Sequence, residues 1–161
     1  MSSSQVTNVV IAGLGGQGVL KASDILADVA FAAGLDVKKS EVHGMSQRGG
    51  SVASDVRFGE HVYSPMVPEG EADYLVVVSA DQVPVNQYVL RSGGTLLEPT
   101  QFDLERLRNK KSVNVALLGA LSQHLGFSEE AWADAIRRNL PEGLVEVNLD
   151  AFKLGRAVTR S

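Results

Sequence analysis

Apolar residues fill positions 6–12 almost without interruption and then give way to Gly13-Leu14-Gly15-Gly16-Gln17-Gly18. A short β-branched run closed by glycines predicts a buried strand entering a tight loop. From Val19 onward, Ala22, Ile25, Leu26, Val29, Ala30 and Ala33 recur at i, i+3, i+4 and i+7, one face of a helix that Gly34 stops. A second strand is predicted at 35–42, parallel to the first as in a βαβ unit. Residues 43–50 hold too many glycines for a helix or a strand interior and form a loop. Beyond them Val52, Ser54, Val56 and Phe58 alternate with Ala53, Asp55 and Arg57, the period of a strand, and Gly59-Glu60 turns the chain into 61–63. That pair predicts an antiparallel hairpin. Residues 64–71, with two prolines and a glycine, read as a surface connection, and the apolar run 74–79 as a central parallel strand.

Asp81 is positioned to cap a helix over 82–90, with Pro84 tolerated in its first turn and Ser92-Gly93-Gly94 ending it. A short strand follows at 95–98, then a charged stretch, 99–112, with room for one helical turn or two. Helical spacing returns over 113–125 and stops at Gly126. Ser128 caps a further helix to Asn139, and Pro141 breaks the chain before a last helix near 145–157. Strands alternating with helices predict an α/β, three-layer Rossmann-like sandwich with a mostly parallel sheet and one antiparallel hairpin, a single domain over 1–161.

Composition narrows the chemistry. The chain has 161 residues, 44% hydrophobic and 21% charged, as expected of a globular domain with a sizeable core. It carries 15 basic and 19 acidic side chains, net −4, without a Lys/Arg run. That balance argues against a nucleic-acid footprint, which needs clustered positive charge. No apolar stretch reaches the ~18 residues of a membrane span, and no signal-type leader opens the sequence, so a cytoplasmic location is expected. The absence of cysteine excludes disulfides, thiolate metal sites and any iron–sulfur cluster held by these residues alone. His43, His61 and His124 lie far apart without ligand spacing, and no metal site is expected.

Gly13, Gly15 and Gly18 satisfy G-x-G-x-x-G between a strand and a helix, where backbone N–H groups and a helix N-terminus can hold a phosphate. A dinucleotide site would add an acid at the end of the second strand, and Asp36 or Glu41 lies at about that distance. Equally, the glycines can serve only a tight turn and close packing. If the first two strands are parallel, 13–18 and 43–50 open on one sheet edge, with Arg48 as a cation suited to phosphate or carboxylate. No nucleophile with an adjacent base assembles: Ser46 lies near His43 but without a nucleophile elbow. Glu69 and Glu71 read as solvated charge, Trp132 as core, and His124 as structural.

Three motifs stand in order along the chain: Gly13-Leu14-Gly15-Gly16-Gln17-Gly18-Val19-Leu20; Glu41-Val42-His43-Gly44-Met45-Ser46-Gln47-Arg48-Gly49-Gly50-Ser51-Val52; and Tyr63-Ser64-Pro65 followed by Pro68-Glu69-Gly70-Glu71-Ala72-Asp73. With the segments 114–121 and 148–155, this combination resembles the gamma-type subunit of 2-oxoacid:ferredoxin oxidoreductases, in its indolepyruvate branch. The resemblance implies a heteromeric complex that oxidatively decarboxylates a 2-oxoacid, here an arylpyruvate, to an acyl-CoA and passes electrons to ferredoxin. Thiamine diphosphate and [4Fe–4S] clusters would be carried by partner subunits, and the isolated chain would be inactive. By the same resemblance, Gly13, Gly15, Gly16, Gln17, Gly18 and Arg48 would hold CoA phosphate, and His43, Gly44, Met45, Ser46, Gln47, Gly49 and Gly50 would form a subunit interface. No catalytic residue is implied. The reading from a different class is a self-sufficient NAD(P)-binding module using Gly13, Gly15, Gly18 and Glu41. Relatives often carry an additional strand and helix before the helix at Val113, for which 99–112 is too short.

Overall fold

The computed structural model describes residues 5–43 and 50–158, with the His43 side chain left aside. Five strands, β1 (Val6–Leu14), β2 (Asp36–His43), β3 (Ser51–Gly59), β4 (Ala72–Val77) and β5 (Leu90–Leu97), form one sheet in the order β2-β3-β1-β4-β5. The helices are α1 (Val19–Ala32), the single turn α2 (Val83–Asn86), α3 (Val113–Ser122), α4 (Glu129–Asn139) and α5 (Glu142–Arg156).

The sheet is mixed rather than mostly parallel. β1 pairs in parallel with β4, and β4 with β5, whereas β3 runs antiparallel to both β1 and β2. The expected βαβ unit is therefore opened: β1 and β2 point the same way, but β3 inserts between them. The expected hairpin between 52–58 and 61–63 does not form, because both edges of β3 are already taken. Residues 61–67 are instead a loop held by side chains. Asp36 Oδ2 accepts from the Val62 N–H at 2.8 Å, Arg57 donates to the carbonyls of Ser64 (2.8 Å) and Met66 (3.3 Å), and Asp55 accepts from the Val67 N–H at 2.9 Å.

Alternation along the strands sorts residues to two unequal faces. Val9, Ile11, Val56, Phe58 and Val76 face one side, where α1, α3 and α4 complete the main core with Trp132, Phe152 and Leu117. Trp132 is fully buried, its ring 5.5 Å from that of Phe152 and 6.3 Å from Phe127, as the sequence suggested. Val10, Leu75 and Val77 face the other side, which, among the described residues, Val67 and the segment around α2 cover through Val83 and Val89. The third layer is thus a thin one.

Several boundaries differ from expectation. The helix expected over 82–90 is broken into two 3-10 turns around four α-helical residues, and Asp81 lies inside the first turn, its carboxylate accepting from the Ser79 hydroxyl at 2.7 Å instead of capping. Ser92-Gly93-Gly94 lies within β5 at a register shift, where a Cβ on Gly94 would meet Leu90 Cδ1 at 2.7 Å and the Ala72 carbonyl at 3.1 Å. Residues 99–112 form three 3-10 turns with their own caps from Glu98, Asp103 and Asn109. Ser128 caps α4 as expected, accepting from the Ala131 N–H at 3.0 Å. α5 starts directly after Pro141, three residues earlier than its apolar spacing indicated.

Candidate functional site

The carboxyl ends of β1, β2, β4 and β5 share one edge of the sheet. After β1 the chain turns to the helical face as α1, and after β4 it turns to the opposite face toward α2. Neighbouring strands whose connections leave to opposite sides open a crevice between them, the usual ligand position in such sheets.

The glycine loop lines this crevice. Its shape is set locally: Gln17 folds back so that its Oε1 accepts from the Leu14 N–H at 2.7 Å, and the Gln17 N–H returns to the Leu14 carbonyl at 3.1 Å. Gly16 (φ +88°) and Gly18 (φ +80°) adopt the left-handed region that side chains disfavour. Among the described residues nothing lies within 4 Å of the place a Gly16 Cβ would take. Gly18 is the N-cap of α1, whose first turn carries no side-chain cap and no acid. Among the described residues no side chain takes up its first-turn N–H groups, and its positive dipole end suits an anion. Lys21, in the first turn of α1, is exposed and forms no ion pair among the described residues.

Two contacts that no local pattern announces fix this cradle. Asn114, at the start of α3, donates from Nδ2 to the Gly18 carbonyl at 3.1 Å and occupies the space a Gly18 Cβ would need. Its one signal in sequence is a polar residue at the head of an apolar helix. Ser51, opening β3, donates to Gln82 Oε1 at 2.9 Å and ties the two sides of the crevice together. Beyond Val78, whose N–H bonds the Ala12 carbonyl at 2.8 Å, the same edge continues into an open cleft of about 480 Å³ against Pro99, Phe102, Leu104 and Val113.

The last residue of the second glycine segment does reach the first loop, although at the head of β3 and not from an adjacent parallel strand: the Gly15 N–H donates to the Gly50 carbonyl at 2.9 Å. Gly13 lies within β1 opposite Val52, where a Cβ would crowd Gln17 Oε1 at 2.9 Å and Val78 Cβ at 3.3 Å. Of the other anticipated residues, Gly44, Met45, Ser46, Gln47, Arg48 and Gly49 lie outside the described residues, and His43 ends β2.

The acid required by a dinucleotide site is not in place. Asp36 sits at the opposite end of β2, held to the Val62 N–H, and that bond is the main cause that keeps its carboxyl below the ordinary range. Glu41 is separated from the glycine loop by the whole width of β3 and pairs with Lys39 at 3.5 Å.

The sequence matches the pyruvate ferredoxin/flavodoxin oxidoreductase family over residues 8–103 and 99–158. The chain belongs to that family. Indolepyruvate oxidoreductase subunit IorB of Thermococcus kodakarensis is 40% identical to it, over 92% of this chain and 93% of the relative. That alignment runs to 190 positions, more than the 161 residues here, so the relative carries segments this chain lacks. The two matched pieces overlap at 99–103, the start of the three tight turns over 99–112. Among solved structures, the gamma subunit of a keto/oxoacid ferredoxin oxidoreductase from Geobacter sulfurreducens superposes with a TM-score of 0.77 at 21% identity, covering 96% of each chain. The 2-oxoglutarate:ferredoxin oxidoreductase of Magnetococcus marinus superposes with a TM-score of 0.82 at 20% identity over 96% of this chain but only 31% of its own. In the latter, this fold is one part of a longer polypeptide.

Proposed function

We propose that this chain is the small subunit of a thiamine diphosphate-dependent 2-oxoacid:ferredoxin oxidoreductase that acts on arylpyruvates in the cytoplasm, assembled with a catalytic subunit. The observation that carries this reading is the 40% identity to an indolepyruvate oxidoreductase subunit along nearly the full length of both chains. Among the described residues no helix is long and apolar enough to cross a membrane.

The reaction converts a 2-oxoacid and CoA to an acyl-CoA and carbon dioxide, with two electrons leaving to ferredoxin. Thiamine supplies the carbanion chemistry and the clusters conduct electrons; having no cysteine, these residues ligate no cluster. Their part is binding and positioning. The open N-terminus of α1 and the backbone of 15–19 fit a diphosphate, and Lys21 and Arg48 supply charge. Val78 and the cleft beyond it offer an apolar wall for the rest of a CoA-like molecule. Gln17 holds the loop through its carbonyl oxygen, which accepts from the Leu14 N–H, and its amide Nε2 is the donor that would face a phosphate. Gly50, bonded to the Gly15 N–H, lies at the same edge, and the partner contact is assigned to the 43–50 motif that it closes.

Co-expression of this chain with the catalytic subunit from the same organism tests the reading. CoA-dependent reduction of a viologen dye with indolepyruvate, seen with the pair and with neither chain alone, is the expected result. Saturable micromolar NADH binding by the isolated chain, with no arylpyruvate activity in the pair, would favour a dinucleotide-binding module instead.

A further inference from the structure

We propose that the thinly covered sheet face is a second docking surface for the catalytic partner, separate from the carboxyl edge, with Tyr63 as its anchor. This inference rests on the function proposed above. The long helices pack on one side of the sheet, and the other side is covered by 61–70 and the α2 segment. Among the described residues, most of the exposed large hydrophobic side chains collect on that thin side: Val42, Tyr63, Met66, Val85 and Tyr88, against Phe31 and Leu144 elsewhere. Strand register settles the placement. Val42 pairs with Ala53, which faces the small core, and Met66 and Tyr63 belong to the loop tied to Arg57 and Asp55. Val85 and Tyr88 ride on the segment anchored by Val83 and Val89.

Tyr63 is 88% exposed and stacked on His61 at 6.2 Å between ring centroids. Its loop is fixed by Asp36, Arg57 and Asp55 and stiffened by Pro65 and Pro68. A large aromatic side chain held out from a pre-ordered loop loses little further entropy on insertion into a pocket, the property of an interface anchor.

Charge indicates the occupant. Glu60, Glu69 and Glu71 flank the patch without an ion pair among the described residues. Arg57 is spent on Asn8, Ser64 and Met66, and Lys38 lies 3.7 Å from Asp36. An apolar centre with an unpaired acidic rim fits a partner presenting an apolar pocket ringed by Lys and Arg, and it disfavours a second copy of this chain, whose own rim would repel it.

The test is assembly of the purified pair by biolayer interferometry, comparing the wild-type chain with Tyr63→Ser and Val85→Asp and, as controls on the helical side, Phe31→Asp and Leu144→Asp. All four positions are solvent-exposed, and thermal unfolding checks that each variant is folded. Loss of affinity of about 30-fold or more for the first pair, with the controls within about 3-fold, is the expected pattern. Unchanged binding by Tyr63→Ser and Val85→Asp, or loss confined to the controls, overturns the surface while leaving the functional reading standing. A wild-type dimer that Tyr63→Ser dissolves without affecting partner binding also overturns it, in favour of self-association. A wild-type chain that captures no catalytic subunit overturns the functional reading and this surface with it.

Discussion

Gly18 carries two constraints at once: a backbone at φ +80° and the Asn114 amide, whose Nδ2 would lie 2.4 Å from any Cβ. Left-handed geometry costs an L-residue about 1–2 kcal/mol, and the clash adds to it. Gly18→Ala is expected to destabilise the fold by about 2 kcal/mol or more in urea unfolding. Adding Asn114→Ala should recover the clash and leave the strain, so a strictly additive double variant would deny the contact. Two carboxylates respond to pH with opposite signs. Burial raises the Asp55 pKa, outweighing the Val67 N–H and Arg57. The folded state therefore binds that proton more tightly than the unfolded chain, and ionisation costs stability as pH rises through the carboxylate range. Asp55→Asn keeps an acceptor for Val67 and is expected to be more stable than the wild type at pH 7, the advantage vanishing in acid. Asp28 is lowered chiefly by the hydrogen bond from Arg138, which grips it at 2.9 and 3.0 Å. Its contribution is present above the unfolded carboxylate range and lost as pH falls through the folded value. Arg138→Ala should cost under about 1 kcal/mol at pH 7, because Arg138 is half exposed, and nothing in strong acid. Denaturant titrations across pH 2–7 check both.

α3 and α5 touch backbone to backbone. A Cβ at Gly155 would fall 1.7 Å from the Ala116 carbonyl, and one at Gly119 would fall 2.1 Å from that of Phe152. Gly155→Ala must push the helices apart and is expected to cost about 3 kcal/mol or more in thermal unfolding, since neither obstacle is a flexible side chain. Gly143→Ala, in the same α5 with open space around it, should instead gain roughly 0.5–1 kcal/mol by restricting the unfolded chain. This scale also separates what was legible in the sequence from what was not. β1, the glycine loop, α1 and the Ser128 cap follow local rules, a β-branched run, left-handed glycines and an N-cap, and each was readable in place. The arrival of Gly50 at the first glycine loop was readable too, since it needs only that β1 and β2 point the same way. Sheet order was not: β2 reads Asp-Val-Lys-Lys-Ser-Glu-Val-His, an edge strand whose partner is chosen by distant β3, and adjacency in sequence suggested β1. Nor was the role of Asn114, 96 residues from Gly18, because a hydrogen bond between distant segments leaves no period or motif in either.

At the scale of the whole molecule, charge is unevenly shared. Residues 1–100, which supply the sheet and both proposed partner surfaces, hold 11 acidic and 6 basic side chains, while 101–161 hold 8 and 9. The part built from α3, α4 and α5 is thus near neutral, and the part that carries the sheet, α1 and the proposed partner surfaces is negative. Such a field acts mainly on encounter: it speeds approach of a basic partner over about 10 Å at low salt, and screening removes it as the Debye length falls to about 3 Å at 1 M. The short-range contacts of the Tyr63 patch act instead on dissociation, because they form only after approach. Raising salt from roughly 0.05 to 0.5 M should therefore lower the association rate with the catalytic subunit by about tenfold and leave the dissociation rate within about twofold. Reversing two rim charges together, Glu69→Lys with Glu71→Lys, should flatten that salt dependence without disturbing the fold, since neither side chain has an ion pair to lose among the described residues. Tyr63→Ser should do the reverse, raising the dissociation rate while keeping the salt slope. If both variants changed the same rate constant, the division between a steering rim and an anchoring centre would be wrong, and the acidic groups would have to be counted as part of the contact itself.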